Sequence, residues 1–211
     1  MSRPILYSFR RCPYAMRARL AIQSAGIDVE LREILLRDKA PEFLATSPSA
    51  TVPCLAFDNV VIDESRDIML WALRKNDPEG WLNMPAEGHD IVDVIEGPFK
   101  TALDRYKYSS RYDDADKLNE RSKASSHLKD LNDRLDNQLW LFGDAPSFAD
   151  MATLPFVRQF ANTDKSWFDD QDWTGLSTWL ENFLGSERLK SIMTKYPTWK
   201  DGDPITVFPS S

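Results

Sequence analysis

The run Leu6-Tyr7-Ser8-Phe9-Arg10-Arg11-Cys12-Pro13-Tyr14 sets a thiol at the point where a strand hands over to a helix. Residues 4–9 read as the strand. Pro13 suits the first helical position, because the N–H it lacks would have no intrahelical partner there. Cys12 then falls at or beside the N-cap. Orphan backbone N–H groups and the positive end of the helix dipole favour an anion at that place, and Arg10 and Arg11 add positive charge. A cysteine that titrates near ~8.5 is brought to roughly 3.5–7.5 by such surroundings, so the pattern predicts a resting thiolate. The alternative reading of Cys12 is a small buried core residue. Ala15 stands where a dithiol centre needs its second cysteine, so no disulfide closes within the motif. The partner of an activated Cys12 is then another molecule, with a small external thiol as the obvious candidate.

Working outward, the helix from Pro13 carries Ala18, Ala21, Ile22 and Ala25 on one face before Gly26 ends it. Ile27, Val29 and Leu31 alternate with Asp28, Glu30 and Arg32, which predicts a half-buried second strand. Strand, helix and strand make a β-α-β unit, with a parallel pair and a right-handed crossover. Lys39 to Ala45 reads as a short helix or turn. Two short strands, residues 52–57 and 60–62, flank a hairpin turn at Asp58-Asn59. A helix starts at Ser65 and runs to about Lys75, where Asn76-Asp77-Pro78-Glu79-Gly80 breaks it.

From His89 onward the period is helical, including a long stretch from Asp116 to Leu141. Ser147 and Asp150 are spaced as a capping box that opens a buried helix from Met151 to Ala161. Two further helical patterns, Leu176 to Leu184 and Glu187 to Met193, precede a tail containing Pro197, Pro204 and Pro209. The 211 residues thus divide into 1–76, an α/β domain, a linker at 77–87, and an all-helical domain at 88–211.

A net charge of −7 spread along the chain argues against general nucleic-acid binding, so a small anionic ligand needs a local basic pocket. Two cysteines argue against a disulfide scaffold. Met1-Ser2-Arg3-Pro4 leads straight into a strand-like run without a signal-peptide pattern, and no apolar stretch approaches the ~18 residues of a membrane span. A reducing cytoplasm is the expected setting. His89 and His127 are isolated, so no metal is expected.

Cys12-Pro13-Tyr14, Thr51-Val52-Pro53, Glu64-Ser65 and Ser147-x-x-Asp150, in this order, resemble the glutathione S-transferase superfamily over essentially the whole chain. Within it, the cysteine resembles omega-type and related bacterial members. The resemblance implies a thioredoxin-like N-terminal domain that binds glutathione and an all-α C-terminal bundle that holds the second substrate. It implies Cys12 as the catalytic thiol. Glutathione is then the co-substrate, with Val52, before a cis Pro53, meeting its cysteinyl part and Ser65 its γ-glutamyl carboxylate. Glu64 would meet the γ-glutamyl amine and Lys39 the glycyl carboxylate.

The second-substrate pocket is expected near Tyr14 and Phe156, with Arg158, Phe160, Trp167 and Trp173 around it. Cys54 is expected to be buried, and Tyr7 to pack in the core. The implied activity is a thiol transferase working through a Cys12–glutathione mixed disulfide, with weak conjugation of glutathione to electrophiles. The expected partners are glutathione, a small disulfide or electrophile, and a second copy in a homodimer. Two alternatives share the sequence features: a non-catalytic protein-binding module on the same fold, and a glutathione-dependent lyase or dehalogenase.

Overall fold

The computed structural model describes residues 3–209. Met1 and Ser2, the start of the segment read for a signal peptide, lie outside the described residues. The chain divides into two compact units, Met1–Gly80 with Ser186–Ser211, and Trp81–Gly185.

In the first unit β1 (Ile5–Ser8), α1 (Pro13–Ser24) and β2 (Val29–Glu33) form the expected β-α-β unit. Leu6 lies beside Leu31, and Ser8 beside Glu33, in parallel register. Gly26, with φ 63°, turns the chain out of α1 in the left-handed region that an L side chain resists. After α2 (Pro41–Thr46) come β3 (Cys54–Phe57), antiparallel to β1, and β4 (Val60–Ile62), paired to β3 through the hairpin. α3 (Ser65–Lys75) follows and packs on α1. This is a thioredoxin-like fold. Alternation sends Leu6 and Ser8 to the α1 side, whereas Tyr7 and Cys54 join Phe43 of α2 in a buried cluster on the other face.

The second unit is all helical. α4 (Glu87–Val94) passes through a π-helical stretch, Ile95–Phe99, into α5 (Lys100–Lys107). Pro98 lies inside that stretch, where the widened turn tolerates its missing N–H. α6 (Lys117–Arg134) stops seven residues short of the predicted Leu141. Next come α7 (Phe148–Ala161), α8 (Lys165–Asp169), which the periodicity did not reveal, and α9 (Thr174–Gly185). The capping box forms as expected: Ser147 Oγ accepts from Asp150 N–H, and Asp150 Oδ2 accepts from Ser147 N–H at 2.8 Å. Phe160 packs against Phe99, Tyr106, Trp167 and Phe168, so the aromatic stretch expected near a pocket forms a packed cluster.

The expected boundary 88–211 requires correction. α10 (Glu187–Ile192) packs on α1, and β5 (Val207–Phe208) pairs antiparallel with β2, so the segment from Ser186 belongs to the first unit. The sheet order is β4-β3-β1-β2-β5. The sequence shows here only a tail containing Pro197, Pro204 and Pro209. Its pairing rests on two residues remote in sequence from β2, which no local pattern announces.

Candidate functional site

Cys12 is the N-cap of α1, with φ −73° and ψ 124°, and Pro13 follows in the first turn. Its N–H donates to Phe9 O at 3.0 Å and its carbonyl accepts from Met16 N–H at 2.8 Å, which fixes the backbone from both sides. The side chain is half-buried, and Sγ donates to Val52 O at 3.7 Å. The Val52–Pro53 peptide bond is cis. The structure therefore brings together Cys12, Val52 and Pro53 at the positive end of α1.

The loop before Val52 is tied down from two directions. Ser47 Oγ donates to Asp63 Oδ1 at 2.8 Å, and Ser49 N–H donates to Asp63 Oδ2 at 2.7 Å. Lys39 Nζ donates to Ala50 O at 3.0 Å, so Lys39 braces this loop and also lines a cavity of about 480 Å³ with Asp38, Glu42, Trp199 and Lys200. Burial pushes the Asp63 carboxyl up, but hydrogen bonds from Ser49, Ser47 and Cys54 together hold it below its ordinary range. The same burial, with Asp63 beside it, pushes the Cys54 thiol up to about 12. Cys54 is buried, as expected, and is a neutral thiol at physiological pH.

Glu64 is the exposed N-cap of α3, and Ser65 is its buried first residue. Arg17, 1 % exposed on α1, donates from both Nε and Nη2 to Ser65 Oγ, at 3.0 and 2.8 Å. Its guanidinium also stands over the Tyr14 ring, 5.2 Å from the centroid. A cation is thereby built into the N-terminal end of α3.

Two residues further along α1, Arg19, also 1 % exposed, donates to Ser8 Oγ at 2.5 Å and to Arg10 O at 2.7 Å. Glu33 on β2 accepts from Arg10 N–H at 2.7 Å. Burial lowers Arg19 to about 10, against the opposing charges of Glu33, Cys12 and Tyr196. Burial likewise raises the Glu33 carboxyl, partly offset by the Arg10 N–H and by Arg19.

Tyr14 is half-buried beside this site, whereas Phe156 is 0 % exposed in α7 of the second unit. Phe156 is a core residue with no surface to offer a ligand, which corrects its expected place in a pocket lining. Tyr7 is a core residue, as expected, and its hydroxyl accepts from Arg32 Nη1 at 3.1 Å. The reading from sequence missed Arg17, Arg19 and Asp63. The available signal was two arginines two positions apart in a helix otherwise rich in alanine. Among the described residues no His, Cys, Asp and Glu cluster fits a metal ion, and no helix is long and apolar enough to cross a membrane.

Comparison with known proteins bears on the family and the fold. Residues 6–80 match the family model for the glutathione S-transferase N-terminal domain, and residues 100–182 that for the C-terminal domain. The chain is 31% identical to glutathione S-transferase 4 of Zea mays over 172 residues, 72% of this chain and 74% of that protein. It is 25% identical to glutathione S-transferase omega-1 of Mus musculus over 162 residues, 73% of this chain and 65% of that one. A solved glutathione transferase family member from Pseudomonas fluorescens, with two glutathione bound, superposes with a TM-score of 0.79 at 17% identity, covering 91% of this chain and 92% of that one. With both domains matched and a relative above 30% identity, the chain belongs to the glutathione S-transferase family.

Proposed function

We propose that this protein is a glutathione-dependent thiol transferase whose nucleophile is Cys12. The observation that carries this reading is the placement of Cys12 at the N-terminus of α1 opposite the Val52 carbonyl, with Ala15 in place of a resolving cysteine. The Cys12 thiolate attacks the glutathione sulfur of a glutathionyl mixed disulfide, forming Cys12–S–S–glutathione and releasing the other half as a thiolate. A second glutathione thiolate then attacks that sulfur, forming oxidised glutathione and returning the Cys12 thiolate. The net change is one thiol–disulfide exchange, in which the mixed disulfide and one glutathione thiol become oxidised glutathione and the released thiol.

In this reading the Val52 backbone meets the cysteinyl part of glutathione beside Pro53. Ser65 at the start of α3 takes the γ-glutamyl carboxylate, and Glu64 takes the γ-glutamyl amine. Lys39 meets the glycyl carboxylate by leaving or sharing Ala50 O. Tyr14 borders the second substrate, a small disulfide or electrophile. Conjugation is the weaker activity, because a cysteine forms a disulfide where a hydroxyl would only stabilise the glutathione thiolate. A homodimer completes the proposal, and sedimentation at the monomer mass would remove that part alone.

The test is intact mass after incubation with oxidised glutathione, before and after reductant, beside Cys12→Ala. One reversible glutathione adduct, absent in the variant, is the expected result. An adduct that persists in Cys12→Ala would overturn the assignment and move the chemistry to Cys54, and none in either protein would overturn it in favour of the binding-module alternative.

A further inference from the structure

We propose that Arg19 and Glu33 are positioning residues that set, with opposite signs, how readily Cys12 ionises. The inference rests on the reading of Cys12 as the nucleophile, and it concerns a charge pair behind the β1–α1 turn. Arg19 reaches that turn directly, through Ser8 Oγ at its start and Arg10 O within it. Glu33 holds the same turn from β2 through the Arg10 N–H. Both charges thus grip the five-residue path, 8–12, that ends at the thiol.

The burial of Arg19 is hard to explain by stability. A guanidinium 1 % exposed is costly to desolvate, and its Nε has no hydrogen-bond partner among the described residues. An apolar side chain of the same volume commonly fills such a place at no cost, or with a gain in stability. What an apolar residue cannot supply is a positive charge under the turn. Burial brings Arg19 down only to about 10, so the charge persists at neutral pH.

The groups that face this pair come from each element around it. Arg10 and Cys12 lie in the turn, Glu33 on β2, and Tyr196 in the C-terminal segment. Cys12 also packs against the cluster containing Tyr7 and Cys54. Cys54, held neutral by burial and by Asp63, contributes no charge. Arg11, over the Phe9 ring, is exposed, so water screens it more than Arg19. Arg17 is held by Ser65 at the start of α3, with its guanidinium over the Tyr14 ring. Arg19 and Glu33 remain as the buried charges joined to the thiol-bearing turn by hydrogen bonds.

The experiment follows the rate of Cys12 alkylation by iodoacetamide against pH, read by peptide mass, in the wild type, Arg19→Met, Arg19→Lys and Glu33→Gln. Arg19→Met is expected to raise the midpoint by about one pH unit, and Arg19→Lys to stay near the wild type. Glu33→Gln, which keeps an oxygen for the Arg10 N–H, is expected to move the midpoint the opposite way, downward. A role confined to holding the turn predicts no such opposition and equal disturbance in both Arg19 variants. If Arg19→Met fails to fold, Glu33→Gln and Arg19→Lys still carry the test. Unchanged midpoints, or shifts of one sign, overturn the inference. The glutathione reading would survive that result, since it fails on the adduct assay instead.

Discussion

Arg17 donates two hydrogen bonds to the single oxygen Ser65 Oγ, from Nε at 3.0 Å and from Nη2 at 2.8 Å. A hydroxyl oxygen has two lone pairs and one proton, so with both acceptor positions taken the O–H is left to donate elsewhere. At the N-terminus of α3, where N–H groups and the helix dipole already favour an anion, that donor and the buried guanidinium suit a carboxylate. Arg17→Met is expected to weaken glutathione binding by about tenfold or more, the worth of one hydrogen bond to a charged group. Calorimetric titration with glutathione checks it, alongside a melting curve to confirm folding. Equal affinity in the two proteins would detach Arg17 from the site.

Asp63 carries the loop that presents Val52, and its carboxyl is held below the ordinary range by Ser49, Ser47 and Cys54 despite partial burial. A depressed carboxyl stabilises the fold above its unfolded value of about 3.9 and loses that contribution as pH falls through the folded value. Loop 47–51 should therefore open in acid, at a pH below 4, before the rest of the first unit. Amide hydrogen exchange at Ser49 and Ala50 across pH 3–7 reads this directly, corrected for intrinsic exchange. Asp63→Ala should show the open loop already at pH 7 and a raised KM for glutathione. Full protection of Ser49 in that variant would show that Lys39 suffices to hold the loop.

How much of this was legible beforehand depended on the range of the interaction. The β1–α1 turn, the hairpin at Asp58-Asn59 and the capping box at Ser147 and Asp150 were readable because each is made by residues within a few positions of one another. β2 begins two residues later than the Ile27 alternation implied, because the Ile27 N–H donates to Ile22 O in the turn that closes α1, and it runs on to Glu33, a charge on the buried face that the hydrophobic pattern does not announce. Cys12 could be placed by local chemistry, whereas its contact with Val52 spans forty residues. Arg17 and Arg19 went unread for a related reason. Charged residues on a helix are ordinarily solvated, and only the partners Ser65, Ser8 and Arg10 reveal that these two point inward.

Trp199 ties the C-terminal segment to the sheet. Its N–H donates to Glu33 O at 2.8 Å, and Arg32 stacks on its ring at 4.1 Å. Beyond it β5 occupies the edge of β2, which would otherwise present unpaired N–H and C=O groups. Trp199→Ala should cost about 3 kcal/mol in urea unfolding, as for other large buried aromatics. Deleting residues 195–211 should add concentration-dependent aggregation, followed by light scattering. A truncated protein as stable and monodisperse as the full chain would show that β2 needs no cover.

Asp150 makes the sharpest stability prediction, because four donors converge on a side chain with no exposed surface. Oδ1 accepts from Leu141 N–H and Trp179 Nε1–H, each at 2.9 Å, and Oδ2 accepts from Ser147 N–H at 2.8 Å and Ser147 Oγ–H at 2.6 Å. Burial raises this carboxyl, and those same four bonds limit the rise. Asp150→Ala removes every acceptor at once and strands at least the Leu141 and Trp179 donors in the interior, at roughly 1–3 kcal/mol each. The loss of the cap adds about 1 kcal/mol, so a total on the order of 4 kcal/mol is expected, a large share of the 5–15 kcal/mol that typically holds a domain. Asp150→Asn should recover little. Its amide places an N–H₂ against a site surrounded by donors, so one of the two pairs must still be lost. Urea denaturation of both variants checks this, and a loss below about 1 kcal/mol in Asp150→Ala would mean that water replaces the carboxylate.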